Sequence, residues 1–441
     1  MLTNSATASR SLAPPRRPIY PESVLLLGVV LAAGVTPTRV RPWIDVLGTP
    51  VAAMELGFIA LVGVMWGSAL LRRRRQGARR NWTPIAFSAL FVYAAASLLI
   101  WSDASGPDVP AMAYTLLIAA AVMWCAFYTV NALEATGVPV LLSYLTMLVA
   151  AIAGLYAAES FLQLGLRSEA NSGVDPLFGL HRLRGPLFGS SIGGFVLLPA
   201  LAYAVQQLVG GRQRIRHGVA AAVLFVAIFA MGSRSALLAV GVFVLLSVFA
   251  LRGRARLAFI AVLAAVGISA ALIVFSRAST ERIASLEDER RAITYATAGR
   301  ALLEAPLYAN LTGLGYAAYW RWYLPDADGT SAFGWEDYMQ SRPAGLVLYH
   351  PHSTPLLLVL ELGLPGLMTL IVLAGAISRA RRQAAAAGGP LLLLNGIAGS
   401  GVVAITDLLI FKSPFANLVW WTYLFGAFAL CRATRNRPTG V

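Results

Sequence analysis

The sequence is poor in charge: Asp, Glu, Lys and Arg make up 12% of its 441 residues, against about 25% in a soluble domain. Hydrophobic residues make up 58%, and the mean hydropathy is +0.69. So little polar surface cannot coat a water-soluble globule of 46.8 kDa, so the composition indicates an integral membrane protein. Cysteine is nearly missing, and Cys125 and Cys431 both sit in apolar runs, which excludes a disulfide scaffold. Lysine occurs once, at Lys412, so the other basic residues are all arginine. No P-loop, dinucleotide fingerprint, zinc-type His/Cys spacing or Asp-x-Asp nucleotide-sugar motif occurs. No nucleotide-driven or metal-centred chemistry is therefore indicated.

What is present is a series of apolar stretches close to the ~20 residues that cross a bilayer. Twelve are found, near 22–38, 50–71, 83–101, 109–130, 138–164, 189–210, 217–232, 234–251, 256–276, 354–377, 390–410 and 416–432. They predict an all-α polytopic membrane protein of about 12 transmembrane helices. Residues 1–276 carry nine helices with a short loop at 165–188. Residues 277–353 form a large, partly helical loop between helices 9 and 10, and residues 354–441 carry the last three helices and a tail. The first stretch is read as a retained helix rather than a secretory signal, because no clear small-x-small cleavage site follows it.

Arginine sorts the connections into two sets. Clusters at Arg10 to Arg17, Arg72 to Arg80, Arg212 to Arg216, Arg252 to Arg256, Arg379 to Arg382 and Arg432 to Arg437 hold 21 of the 35 basic residues, accompanied only by Glu22 and Glu134 as acids. The positive-inside rule puts this set in the cytoplasm, with both termini there and both long loops outside. The net charge of +15 thus divides into +19 inside and −4 elsewhere. It labels topology and lends no support to nucleic-acid binding.

Two motifs are decoys. Gly189-Ser190-Ser191-Ile192-Gly193 fits the serine-hydrolase pattern but opens a membrane helix, where small residues serve packing. Asn310-Leu311-Thr312 is a glycosylation sequon by pattern only. Four carboxylates fall within the spans: Glu55, Glu159, Glu361 and Asp407. They suit either a proton-coupled transporter or flippase, or carboxylates hydrogen-bonded to neighbouring helices.

The outward side gathers a different set. Arg184 lies in the segment leading into the sixth helix, Arg234 in the tight hairpin Met231-Gly232-Ser233-Arg234-Ser235, and Arg290 and Arg291 in the long loop. His350 and His352 stand just before the tenth helix. Arginine grips phosphate oxygens in bidentate fashion and histidine accepts a proton near neutral pH. The group therefore reads as an anion site beside a proton acceptor, suited to a lipid-linked phosphate or diphosphate. Taken singly, each arginine also fits a headgroup anchor. Residues 281–304 have the charge pattern of an amphipathic helix over the membrane mouth. Tyr316, Tyr319, Trp320, Trp322, Tyr323, Trp335 and Tyr338 fit an interfacial belt or a sugar-stacking surface.

These stretches together resemble the bacterial O-antigen ligase and O-antigen polymerase superfamily. His352-Ser353-Thr354-Pro355-Leu356 followed by Glu361-Leu362-Gly363 is similar to its His-Asn-x-Tyr-Leu…Glu-Leu-Gly-x-x-Gly helix start, and the spacing selects His352 over His350. Gly232-Ser233-Arg234 resembles its Ser-Arg hairpin. Arg291, Tyr295, Pro306 and Gly313-Leu314-Gly315 resemble its Arg-x-x-x-Trp…Pro-Leu-x-Gly-x-Gly stretch, and Arg184-Gly185-Pro186-Leu187-Phe188 its Arg-x-x-Gly-x-Phe segment. Departures are Tyr295 for Trp, Gly189-Ser190-Ser191 for Pro-Asn, and Ser353-Thr354-Pro355 for Asn-x-Tyr. The likeness covers 180–366; the first 165 residues match in hydropathy alone.

The resemblance implies a glycosyltransferase of the bacterial inner membrane with its active face in the periplasm and no cofactor or metal. Its donor would be an undecaprenyl-diphosphate-linked glycan, and its acceptor lipid A–core or a second lipid-linked repeat unit, within membrane lipid. His352, Arg234 and Arg291 would be catalytic, while Arg184, Arg290, Tyr295 and Trp320 would bind diphosphate or glycan. Attack opposite the diphosphate would invert the anomeric carbon.

Overall fold

The computed structural model of the chain describes residues 20–35, 43–46, 49–52, 82–101, 109–133, 136–162, 192–211, 214–231, 233–261, 289–313, 315–316, 353–406 and 414–435, with isolated positions in 60–67 and 263–264. Helix dominates, as it must where backbone polar groups have no water to bond. The elements are α1 (Pro21–Val35), α2 (Trp82–Trp101), α3 (Val109–Ala132), α4 (Gly137–Leu162), α5 (Ile192–Val209), α6 (Arg214–Ala230) and α7 (Arg234–Ala250). After them come α8 (Glu289–Glu304), α9 (Leu307–Thr312), α10 (Thr354–Ala387), α11 (Leu391–Thr406) and α12 (Pro414–Arg435).

Ten of the twelve expected apolar stretches coincide with described helices, and an eleventh begins as a helix at 253–261. Within the described residues, four helices are long and apolar enough to cross a membrane: α3, α4, α10 and α12. The apolar cores of α1, α2, α5, α7 and α11 are shorter. The second stretch is divided: its described positions 60, 63, 64 and 67 are helical, as expected, while its first three residues are not. An antiparallel hairpin of β1 (Trp43–Val46) and β2 (Thr49–Ala52) pairs Trp43 with Ala52 and Val46 with Thr49, so residue 50 lies in a strand. The β-branched Ile44, Val46, Thr49 and Val51 favour this pleated form, and Pro50 is tolerated because a two-stranded ribbon has only edges.

Side-chain hydrogen bonds bring the arginine-bearing helix ends together. The Arg381 Nε donates to Asn395 Oδ1 (2.7 Å), and the Asn395 amide donates to Ser247 Oγ (3.2 Å), joining α10, α11 and the last turn of α7. The Leu393 N–H donates to Gln206 Oε1 near the end of α5 (3.1 Å), and Arg432 reaches Asn131 Oδ1 from α12 to the end of α3 (3.3 Å). The ends of α3, α5, α7 and α12 thus lie with the α10–α11 turn.

The core is a continuous apolar cluster crossed by an aromatic seam on α12. Trp420 stacks on Phe195 of α5 (4.9 Å, 12°) and donates to Ser400 Oγ of α11 (2.8 Å). Trp421 meets Phe87 of α2 edge-on (4.9 Å), and Phe425 meets Phe127 of α3 (5.3 Å). Close backbone approach completes the packing: a Cβ on Gly194, Gly396 or Gly426 would run into Ala236, Ala202 or Leu142. Small residues at helix crossings are the usual route to tight packing where lipid supplies no hydrophobic drive.

Candidate functional site

The site is built around a kink in α10. Pro365 has no N–H, so the Glu361 carbonyl four residues earlier has no intrahelical donor. Gly363 takes φ 56°, ψ −139°, a conformation that L side chains rarely adopt, and breaks the helix there. The freed carbonyl accepts a hydrogen bond from the Gly315 N–H at 3.0 Å. Gly313, with φ 77°, lies directly against the backbone of Glu361 and Leu362, and Gly363 lies against that of Leu311 and Gly313. A Cβ on either glycine would overlap backbone atoms. The glycines of two separated motifs therefore serve one contact, the docking of the long loop onto α10.

Helix α2 secures the same loop from the other side. The Tyr93 hydroxyl donates to the Thr312 carbonyl. The Tyr316 N–H donates to Ser97 Oγ (3.0 Å), whose own proton goes to the Ala94 carbonyl (2.8 Å). Tyr316 is buried, not displayed as a belt or stacking residue, and Glu361 is 3% exposed. Burial first, and the nearby Glu361 carboxylate second, hold the Tyr316 hydroxyl well above its ordinary range, so it is a neutral donor at neutral pH. The loop helices close on themselves: Asn310 Nδ2 donates to the carbonyls of Leu302 (3.0 Å) and Ala305 (3.3 Å) at the end of α8. The asparagine of the sequon thus serves as a structural cap.

Two helices begin at this end with serine caps. Ser233 Oγ accepts from the Ala236 N–H (3.3 Å) and bonds to Ser235 Oγ (3.0 Å), which starts α7 at Arg234. Ser353 Oγ accepts from the Leu356 N–H (3.4 Å), which starts α10 with Pro355 in its first turn. Serine is among the strongly preferred N-caps, so Ser353 fixes where α10 begins. Helix N-termini carry partial positive charge, and Arg234 is exposed at one of them. An anion would find two favourable elements together there.

Of the site residues expected from sequence, Arg234 lies at the first position of α7, and Tyr295 is half-buried on α8. Arg290 and Arg291 fall in the first turn of α8, which places them on the loop helix expected at 281–304, with its start at 289. Arg184, Trp320, His350 and His352 lie outside the described residues, and His352 directly precedes the Ser353 cap. Reading the sequence missed Tyr93 and Ser97. Their only signal was two hydroxyls four residues apart on one face of an apolar helix.

Kinked, tightly packed helices and a loop docked at one end define a helical membrane protein, with the serine-capped helix starts and Arg234 at that same end. The family model described as O-Antigen ligase matches residues 219–371, from α6 through the docked loop to just past the α10 kink. Through that region the chain is similar to the O-antigen ligase family. A comparison with curated proteins gave no match.

Proposed function

We propose that this protein transfers a glycan from an undecaprenyl-diphosphate carrier to an acceptor hydroxyl at the periplasmic face, as an O-antigen ligase or a surface-polysaccharide polymerase. The observation that carries this reading is the docking of Gly313 and Gly315 onto Glu361 and Gly363. It joins two motifs of the matched region at one end of the bundle, opposite the arginine-rich ends. By the positive-inside rule that end is periplasmic and both termini are cytoplasmic.

Arg234 and Arg291, with Arg184 and Arg290, bind the diphosphate and stabilise charge on the leaving group. His352, next to the capped start of α10, orients the acceptor hydroxyl and accepts its proton. The hydroxyl oxygen attacks the anomeric carbon opposite the diphosphate, forming the new glycosidic bond as the bond to the diphosphate oxygen breaks. Configuration inverts, and the step needs no metal. Tyr295 and Trp320 contact the glycan. The neutral Tyr316 and the α10 kink hold the frame on which these groups sit.

The test is glycan transfer in membrane vesicles supplied with a lipid-linked donor. His352→Ala and Arg234→Ala should each lower transfer at least a hundredfold at equal protein level, the range for losing a positioned base or charge stabiliser. Full transfer by both variants would refute the assignment. Intact donor that never reaches lipid A–core identifies a ligase, whereas products stalled at one repeat identify a polymerase. The transporter reading drew on four carboxylates; Glu361, the one described side chain among them, is buried near Tyr316.

A further inference from the structure

The loop that docks on α10 sits below the end of the bundle. Helix α2 supplies a ruler: its 20 residues rise about 30 Å from end to end. It runs antiparallel to α3, with Trp124 Nε1 donating to Ser88 Oγ (3.0 Å), and α3 ends at the arginine-rich side. Trp101 is therefore the outward terminus. Tyr93, which bonds Thr312, is eight residues or about 12 Å inward of Trp101, and Ser97, which bonds Tyr316, is about 6 Å inward. Side chains lean toward a helix's N-terminus, so the Tyr93 hydroxyl does not climb back outward. On α10, Glu361 is about 10 Å along from Thr354. Both rulers sink α9 and the glycines after it beneath the helix ends.

Three further features fit that depth. The backbone there is satisfied by protein: the Thr312 carbonyl by Tyr93, the Gly315 N–H by Glu361 and the Tyr316 N–H by Ser97. Non-helical backbone is tolerated in the hydrocarbon only on such terms. Large apolar side chains on the free face are open, with Leu303 88%, Leu307 73%, Tyr308 59% and Leu311 48% exposed. On α10, Leu364, Leu367, Met368 and Ile371 are likewise exposed at helical spacing just inward of the contact.

We propose that α9, with Gly313, Gly315 and Tyr316, is a re-entrant segment whose exposed face of Leu307, Tyr308 and Leu311 is covered by acyl chains of the outward leaflet. The partner is membrane hydrocarbon, and the inference stands independently of the glycan-transfer reading. The segment turns the large outward loop from a cover above the membrane into a wedge within its edge.

The test attaches an environment-sensitive fluorophore to single introduced cysteines in the full chain, reconstituted in phosphatidylcholine vesicles. Both native thiols are buried, so the label reports on the added site. Leu307→Cys and Leu311→Cys are compared with Ile371→Cys, on the exposed stripe of α10, and with Arg300→Cys, whose native side chain is exposed in an ion pair with Glu304 (3.2 Å). Quenching by spin-labelled lipid is divided by quenching by aqueous iodide. The Leu307 and Leu311 labels should match Ile371, with a ratio several-fold above that of Arg300. A ratio equal to that of Arg300 overturns the proposal. Shielding from both quenchers overturns it too, since protein would then cover the face. All four positions are exposed, so labelling should leave the fold intact, checked by gel filtration in detergent.

Discussion

The two ends of the helix bundle are finished by different means. At the arginine-rich end, side chains tie neighbouring helices: Arg381 to Asn395, Asn395 to Ser247, Arg432 to Asn131. At the opposite end, backbones meet: Gly313 lies on Glu361, Gly363 lies on Leu311, and two helices start at serine caps. Side-chain ties tolerate small adjustments, because long side chains rotate to follow their partners. Backbone contact through glycine leaves no such slack. The contact that brings together segments from positions 97, 313 and 363 is therefore held tightly by backbone.

This contrast can be broken most sharply at Gly363. Gly363→Ala should cost about 3 kcal/mol or more, through a strained φ and overlap with the docked loop, and abolish transfer. Gly375, in open space on the same helix, is the control: Gly375→Ala should stabilise by about 0.5 to 1 kcal/mol. Thermal unfolding in detergent reads both, and a neutral Gly363→Ala would mean that the loop docks loosely.

At the other end, Asn395→Leu removes the partner of Arg381 and of Ser247 and should cost about 2 kcal/mol. Transfer per folded molecule should hardly change, and an equal fall in activity would erase the functional distinction between the ends. Smaller again is the cap: Ser353→Ala should lose about 1 kcal/mol and Ser353→Asn almost nothing. Activity that follows this order would tie the cap to the placement of His352.

The smallest effect is in alkali. Tyr316 has its folded-state pKa raised, while in the unfolded chain it titrates near its ordinary value of about 10. Its contribution to stability is complete below pH 10 and falls as pH rises beyond it, because only the unfolded chain releases the proton. Tyr316→Phe should flatten the alkaline decline in melting temperature between pH 9 and pH 11 (about one unit either side of that value). An unchanged slope would show that Tyr316 is not buried against Glu361.

Much of the architecture was legible along the chain, because partition into lipid is a property of each local stretch. Ten apolar runs became helices with bounds close to those expected. The amphipathic pattern before residue 304 became α8, and the spacing from His352 to Gly363 pointed at a helix start that Ser353 indeed caps. Tyr316 was misplaced in that reading, since an aromatic in an interfacial run looks the same whether it faces water or is buried near a carboxylate. The hairpin at residues 43–52 was hidden by its apolar composition, which suits a strand as well as a span.

The sequence by itself determined that the chain lives in a membrane, which helix ends share a side, and which motifs carry glycine, arginine and histidine. Only the tertiary structure decided that Gly313 and Gly363 are partners, that Tyr93 and Ser97 hold the loop, and that the loop reaches below the end of α2. The reason is physical. Hydropathy and charge act residue by residue through the solvent, whereas a backbone contact across fifty positions depends on shapes that exist only once both helices are in place.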